Sequence, residues 1–196
     1  MTRPSRSAAV SAVRTLLEYI GETPDRPGLA ATPERVIRAW EKDWGSGYAV
    51  DESSTPITEF EDGAQGYSQM ITQKGLPIWS HCEHHLAPFF GIATVAYIPR
   101  TQAGFPSRIL GLSKVSRIIQ VYARRLQVQE RLTTQIADAL NRKLNPEGVG
   151  VQLQCRHSCM ESRGIHQAGI VTTTTALRGS FLEDPTVRDE FLRICA

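Results

Sequence analysis

Val10, Val13, Leu16, Leu17 and Ile20 recur at helical spacing and stop at Gly21, which predicts an amphipathic helix near the start of the chain. A Pro- and Gly-punctuated connection, GETPDRPGLAA, follows. Thr32-Pro33-Glu34 then supplies a cap residue and a proline at the first helical position. The helix opened there carries Val36, Ile37 and Trp40 on one side and Arg35 and Arg38, three residues apart, on another. From Gly45 to Gly75 the chain is polar and turn-rich and predicts no definite element. Two further helices are marked by Val115, Ile118, Ile119 and Tyr122 in ILGLSKVSRIIQVYARR, and by Leu132, Ile136, Leu140 and Leu144 in QVQERLTTQIADALNRKL.

Strand patterns surround those helices. Residues 91–99, GIATVAYIP, and 169–177, GIVTTTTAL, are rich in β-branched side chains. In VGVQLQCRHSC the residues Val149, Val151, Leu153, Cys155, His157 and Cys159 alternate strictly with others, so an extended chain would point all of them to one side of a sheet. The expected class is α+β, with an N-terminal helical region over residues 1–45 and a strand-and-helix domain over residues 46–196.

Composition narrows the class. A chain of 196 residues with 41% hydrophobic and 21% charged residues is that of a soluble domain, and it excludes a membrane protein and a disordered tail. Such a length can bury roughly 70% of the unfolded chain's surface without disulfides. A net charge of +2 favours neither a dedicated nucleic-acid binder nor a membrane-surface protein, so any basic site must be local. The cysteines Cys82, Cys155, Cys159 and Cys195 are too few for a disulfide framework, which points to a reducing, cytoplasmic compartment. Arg14 and Glu18 interrupt the N-terminal apolar residues before they reach the length of a signal-peptide core or a membrane span. The Arg/Ser-rich, acid-free start has the composition of a transit peptide and equally that of a frayed terminus.

Residues 81–85 read His-Cys-Glu-His-His, in which Cys82 and His85 form a C-x-x-H pair able to reach one ion, with Cys159 as a third soft ligand. Thiolates with imidazole suit zinc, and a three-ligand site leaves a tetrahedral position for water. His84 and His157 would then flank the ion for proton transfer. Two other readings stay open from spacing alone. Cys155 and Cys159 could be plain core residues, and a structural zinc could take His84 or His157 as a fourth ligand. A cytidine-deaminase site does not fit, since the H-x-E and P-C-x-x-C signature is absent.

Gly111-Leu112-Ser113-Lys114 precedes a helix, so Ser113 is expected as its N-cap, and Lys114 and Arg117 beside the free N–H groups make a phosphate cradle. With Arg163, Arg35 and Arg38 the cations outnumber the needs of one monophosphate and suit a triphosphate, in a sequence lacking a Gly-rich phosphate loop. The bland alternative is a capped helix with solvated cations. Gln129-Glu130 combines an amide with a carboxylate able to accept two N–H bonds from a guanine edge, or is simply helix surface.

Taken together, CEHH (82–85), GLSK (111–114), RRLQVQERLTTQI (124–136), H-x-C-x3-RG (157–164), TTTT (172–175) and DPxxRxEFL (184–192) resemble the zinc-dependent GTP cyclohydrolase I family in order and over most of the chain. The resemblance implies the tunnelling fold, with α+β subunits joining their sheets into a barrel, typically as a homodecamer of two pentamers with active sites between subunits. It implies that Cys82, His85 and Cys159 hold Zn2+ and that His84 and His157 are the acid/base pair. Gln129 and Glu130 would read guanine, and Ser113, Lys114, Arg117, Arg163, Arg35 and Arg38 would hold the triphosphate. The implied reaction takes GTP and water to 7,8-dihydroneopterin triphosphate and formate, the first step of pterin and folate biosynthesis. A relative that keeps the zinc site but takes another purine triphosphate, or serves as a binding or regulatory subunit, is the alternative. Departures from the family pattern are a longer connection over residues 100–110, Cys155 and Arg156 ahead of His157, and His166.

Overall fold

The computed structural model describes residues 2–51, 59–60, 66–101 and 109–196. Helix α1 (Arg6–Tyr19) is capped by Ser5, whose Oγ accepts from the Ala8 N–H, and it ends before Gly21 as its periodicity predicts. Helix α2 (Thr32–Ala39) begins one residue earlier than expected: Ala31 takes the cap position and Thr32 lies inside the first turn. It runs into a π-helical turn, Trp40–Trp44. Helix α1 packs on α2, yet none of its residues is buried, and Tyr19 is 86% exposed.

A five-stranded sheet forms the centre. Its strands are β2 (Ile71–Cys82), β3 (Pro88–Ile98), β5 (Leu126–Gln127), β6 (Gly148–His157) and β7 (Thr172–Gly179), in the order β5-β2-β3-β6-β7. All pairs are antiparallel except β5 on β2, which is parallel over two residues, His81 and Cys82 opposite Leu126 and Gln127. Two short segments, β1 (Glu59–Phe60) and β4 (Ile109–Leu110), pair separately. The α+β class and the two helices between strands are as expected: α3 (Leu112–Ala123) and α4 (Gln129–Leu144). A one-turn helix, α5 (Ser158–Glu161), follows β6, and α6 (Ser180–Glu183) and α7 (Pro185–Cys195) end the chain.

Strand β2 lay hidden in a stretch without alternation. Gly75 sits at φ +71°, the pairing with β3 shifts register between Gln73 and Leu76, and Pro77 falls inside the strand. A bulge of this kind breaks the period-2 pattern that marks a strand. The expected boundaries of β3 and β7 move by one to three residues. Residues 102–108, within the connection that departs from the family pattern, lie outside the described residues.

The alternation read in β6 holds as far as His157. Val149, Val151, Leu153 and Cys155 are all buried against α4 and the rest of the core, together with Phe89 and Val95 of β3. Cys159 is not on the strand as expected. The strand ends at His157, and a helical turn carries Cys159 back toward the sheet.

The opposite face of β6 is partly covered by α6 and α7 through Phe181 and Phe191. Gly150 makes that packing possible, since a Cβ there would stand 2.6 Å from Phe181 Cδ1 and 3.0 Å from Phe191 Cε1. Both rings are fully buried and cannot swing away. Gly150→Val is therefore expected to destabilise the fold by about 1–3 kcal/mol through overpacking. Thermal unfolding measured beside the wild type checks this, and an unchanged midpoint would refute it. Farther along the same face the sheet is bare: Trp79, 66% exposed, stacks on Phe90 at 4.8 Å, with Ile92 beside them. Among the described residues no helix is long and apolar enough to cross a membrane.

Candidate metal and active site

The β2–β3 turn is short because its backbone closes on itself. Cys82 N–H donates to Ala87 O at 2.8 Å and Leu86 N–H to Cys82 O at 2.9 Å, with Leu86 left-handed at φ +55°. The turn is tied sideways as well. Glu83 N–H donates to Gln127 O at 3.0 Å, and the Glu83 carboxylate accepts from Arg131 of α4 at 2.5 Å. These bonds present Cys82, buried, and His85, exposed, beside the end of β6, where Phe89 of β3 is in register with His157.

Cys82, His85 and Cys159 meet there, with one ligand atom from each lying within 4.8 Å of the other two. Tetrahedral zinc ligands at ~2.1–2.3 Å from the ion stand ~3.4–3.8 Å apart, so the three atoms lie near the spacing such an ion needs. The donor chemistry, two thiols and an imidazole, fits a soft divalent ion. Burial, and next the neighbouring Cys82 thiol, push Cys159 up from the ordinary thiol value, while Arg163 draws it back. Arg163 also donates through Nη1 to His85 Nε2. Cys155 behaves as the core residue that spacing left open: it is 1% exposed, and burial pushes its thiol up to about 12.

The two remaining histidines sit differently. His84 Nδ1 lies 3.6 Å from Cys82 Sγ, at the exposed side of the turn. His157 is half-buried, stacked on Phe89 with centroids 4.8 Å apart and planes 9° from parallel. Burial lowers its pKa below the ordinary imidazole value, and the Glu130 carboxylate works against that shift. Its Nε2 is 2.7 Å from Gln129 Oε1.

Gln129 and Glu130 open α4, but they differ in exposure. Glu130 is exposed and close enough to His157 for its charge to be felt. Gln129 is 2% exposed, and its amide is turned into the sheet instead of toward an open pocket. At the start of α3 the cap is Gly111, not Ser113, and no side chain caps the helix. Glycine is itself acceptable at that position, and Ser113 moves into the first turn, where backbone N–H groups are free of helical partners. Ser113 and Arg117 are exposed and Lys114 is half-buried. Arg35 and Arg38 are exposed on α2, which packs chiefly against α1 and the π-helical turn.

Three supporting contacts were not legible from the sequence. Arg131 steadies the turn through Glu83. Arg156 grips Glu161 through two hydrogen bonds, at 2.7 and 2.9 Å, and lies over the Phe90 ring, bracing the helical turn that carries Cys159. His81 is enclosed by Trp40 and Trp44, each with its ring 5.0 Å away. Only the position of Glu83 inside the Cys-Glu-His-His run could have drawn attention to the first.

Residues 9–196 match the family described as GTP cyclohydrolase I. The chain is 50% identical over 181 residues to GTP cyclohydrolase 1 of Janthinobacterium sp. (strain Marseille), covering 92% of this chain and 87% of that one. It is 42% identical over 193 residues to GTP cyclohydrolase 1 of Maricaulis maris (strain MCS10), covering 98% and 90%. With GTP cyclohydrolase 1 of Mycobacterium avium (strain 104) the identity is 47% over 187 residues, covering 95% and 88%.

Proposed function

This chain belongs to the GTP cyclohydrolase I family, and from that premise we propose that it is a zinc enzyme whose metal is held by Cys82, His85 and Cys159 beside the proton-transfer residue His157. Its reaction is that of the family: GTP and water give 7,8-dihydroneopterin triphosphate and formate. The observation that carries the metal assignment is the convergence of two thiols and an imidazole from separate elements beside the end of β6. When bound there, zinc supplies Lewis-acid activation of water near neutral pH.

The chain's own groups supply the rest. Burial, opposed by the Glu130 carboxylate, holds the His157 pKa below the ordinary imidazole value, which favours the neutral ring that accepts a proton as the imidazole ring of the substrate opens. His84, on the exposed side of the Cys82 thiol, assists in proton transfer. Glu130 offers its carboxylate to the N–H edge of the guanine. Ser113, Lys114 and Arg117 at the start of α3, with Arg163 beside His85, take the triphosphate through N–H groups and cations. Arg35 and Arg38 are assigned to the same anion in a neighbouring subunit's site.

A shared site requires a homo-oligomer, and the family suggests a decamer of two pentamers. Two uncovered apolar surfaces support assembly: the face of α1 and the Trp79–Phe90–Ile92 patch of the sheet. Purified, zinc-loaded protein incubated with GTP is expected to release formate and a pterin chromophore, and to sediment as a multi-subunit particle well above 21.7 kDa. Absence of turnover in metal-replete protein would overturn the activity. A monomer that turns over GTP would overturn the shared site.

A further inference from the structure

The side-chain amide of Gln129 has no freedom left. Its Nε2 donates to Thr172 O at 2.9 Å, to Thr174 Oγ1 at 3.1 Å and to Leu153 O at 3.2 Å. Two of those acceptors are backbone carbonyls, which cannot donate. Turning the amide over would set its oxygen against both, so the orientation is fixed. Oε1 is therefore the atom that meets His157 Nε2 at 2.7 Å. An amide oxygen only accepts, and the hydrogen in that bond belongs to the imidazole.

A ring of hydroxyls locks the amide from behind. Thr133 Oγ1 donates to the Gln129 carbonyl at 2.7 Å, which spends its hydrogen. The 2.6 Å contact between the hydroxyls of Thr133 and Thr174 then runs with Thr174 as donor. The circuit passes from the Gln129 amide to Thr174, to Thr133 and back to the Gln129 backbone. Phe89, parallel to the imidazole, fixes the plane of the ring that Gln129 holds by its edge.

We propose that Gln129 is a positioning residue that holds His157 as the Nε2–H tautomer, leaving Nδ1 as the ring's only available lone pair. The proposal rests on the reading of His157 as the proton-transfer group. It differs from the purine-reading role that spacing suggested for the Gln129 side chain. Both amide hydrogens are committed to carbonyls and Thr174, so none is left for a base, and the exposed Glu130 is the one of the pair that can read guanine. Outer partners that set the tautomer of a functional histidine characteristically change activity by about 10- to 100-fold when removed.

The test uses zinc-loaded, assembled protein labelled with [15N]histidine, its His157 signals identified by their loss in His157→Ala. The 15N spectrum of the wild type at alkaline pH is expected to show His157 protonated at Nε2 and bare at Nδ1. Gln129→Met removes the acceptor at similar length. It is expected to mix the two tautomers and lower kcat for GTP by about 10- to 100-fold, with KM and zinc content kept. Thr174→Val, a milder change that spares Gln129, should move the spectrum and kcat the same way by less, and it decides the matter if Gln129→Met does not fold. A wild-type spectrum with the proton on Nδ1 would overturn the proposal. So would a Gln129→Met variant that raises KM while keeping kcat, which is the signature of a lost base contact. A wild-type Nε2–H spectrum in protein that turns over no GTP would uphold the tautomer and overturn the activity instead.

Discussion

Cys159→Ala is expected to lose bound zinc and GTP turnover together. The triad draws on two places: the β2–β3 turn gives Cys82 and His85, and the helical turn after β6 gives Cys159 alone. Removing Cys159 leaves two ligands on one turn, one fewer than the three protein ligands a catalytic zinc site keeps. The loss of affinity should exceed the ~100-fold that outer-sphere changes reach. Cys159 is only half-buried, so little packing goes with it, and thermal stability of the metal-free protein should stay close to that of metal-free wild type. Zinc content after gel filtration, read beside a formate assay, checks the result. A Cys159→Ala protein that keeps one zinc per chain would show that the ion sits elsewhere.

His157→Ala should behave in the opposite way toward the metal. The His157 Nε2 is bound to Gln129 and its ring is stacked on Phe89, so it is engaged with the protein and not with the triad. Zinc content is therefore expected to match wild type while kcat falls by about 10²–10⁴-fold, the usual worth of a positioned acid/base group. KM should change little. Loss of zinc in this variant would make His157 a fourth ligand and return the site to a closed, structural type.

The grouping of Cys82, His85 and Cys159 was legible because a candidate ligand set depends on residue type and spacing, which survive in a linear string. Cys82 and His85 are close in sequence as well as in space, and Cys159 follows a strand whose alternation ends at His157. The positions that misled share another cause. Ser113 looked like a cap because serine usually is one, but Gly111 already held the turn. Gln129 and Glu130 adjoin in the sequence and read as a pair, but helical geometry sends consecutive side chains about 100° apart, and here one is exposed and the other is buried in hydrogen bonds to the sheet. Strand β2 was lost to a bulge and a proline. The partners of Gln129 come from Leu153, Thr172 and Thr174, 24 to 45 residues away, a separation at which no local pattern operates.

Strand β6 is hydrogen-bonded along both edges, to β3 and to β7, and buried on nearly all of its length. Its amides can reach solvent only when the sheet itself opens, whereas the Glu83–Ala87 turn can loosen by breaking a few bonds. The three candidate ligands therefore differ in what must open to release them. Cys82 closes β2 and is paired with Gln127 of β5, so the sheet itself holds it. His85, in the turn, and Cys159, in the one-turn helix beyond β6, can shift when only a few bonds break.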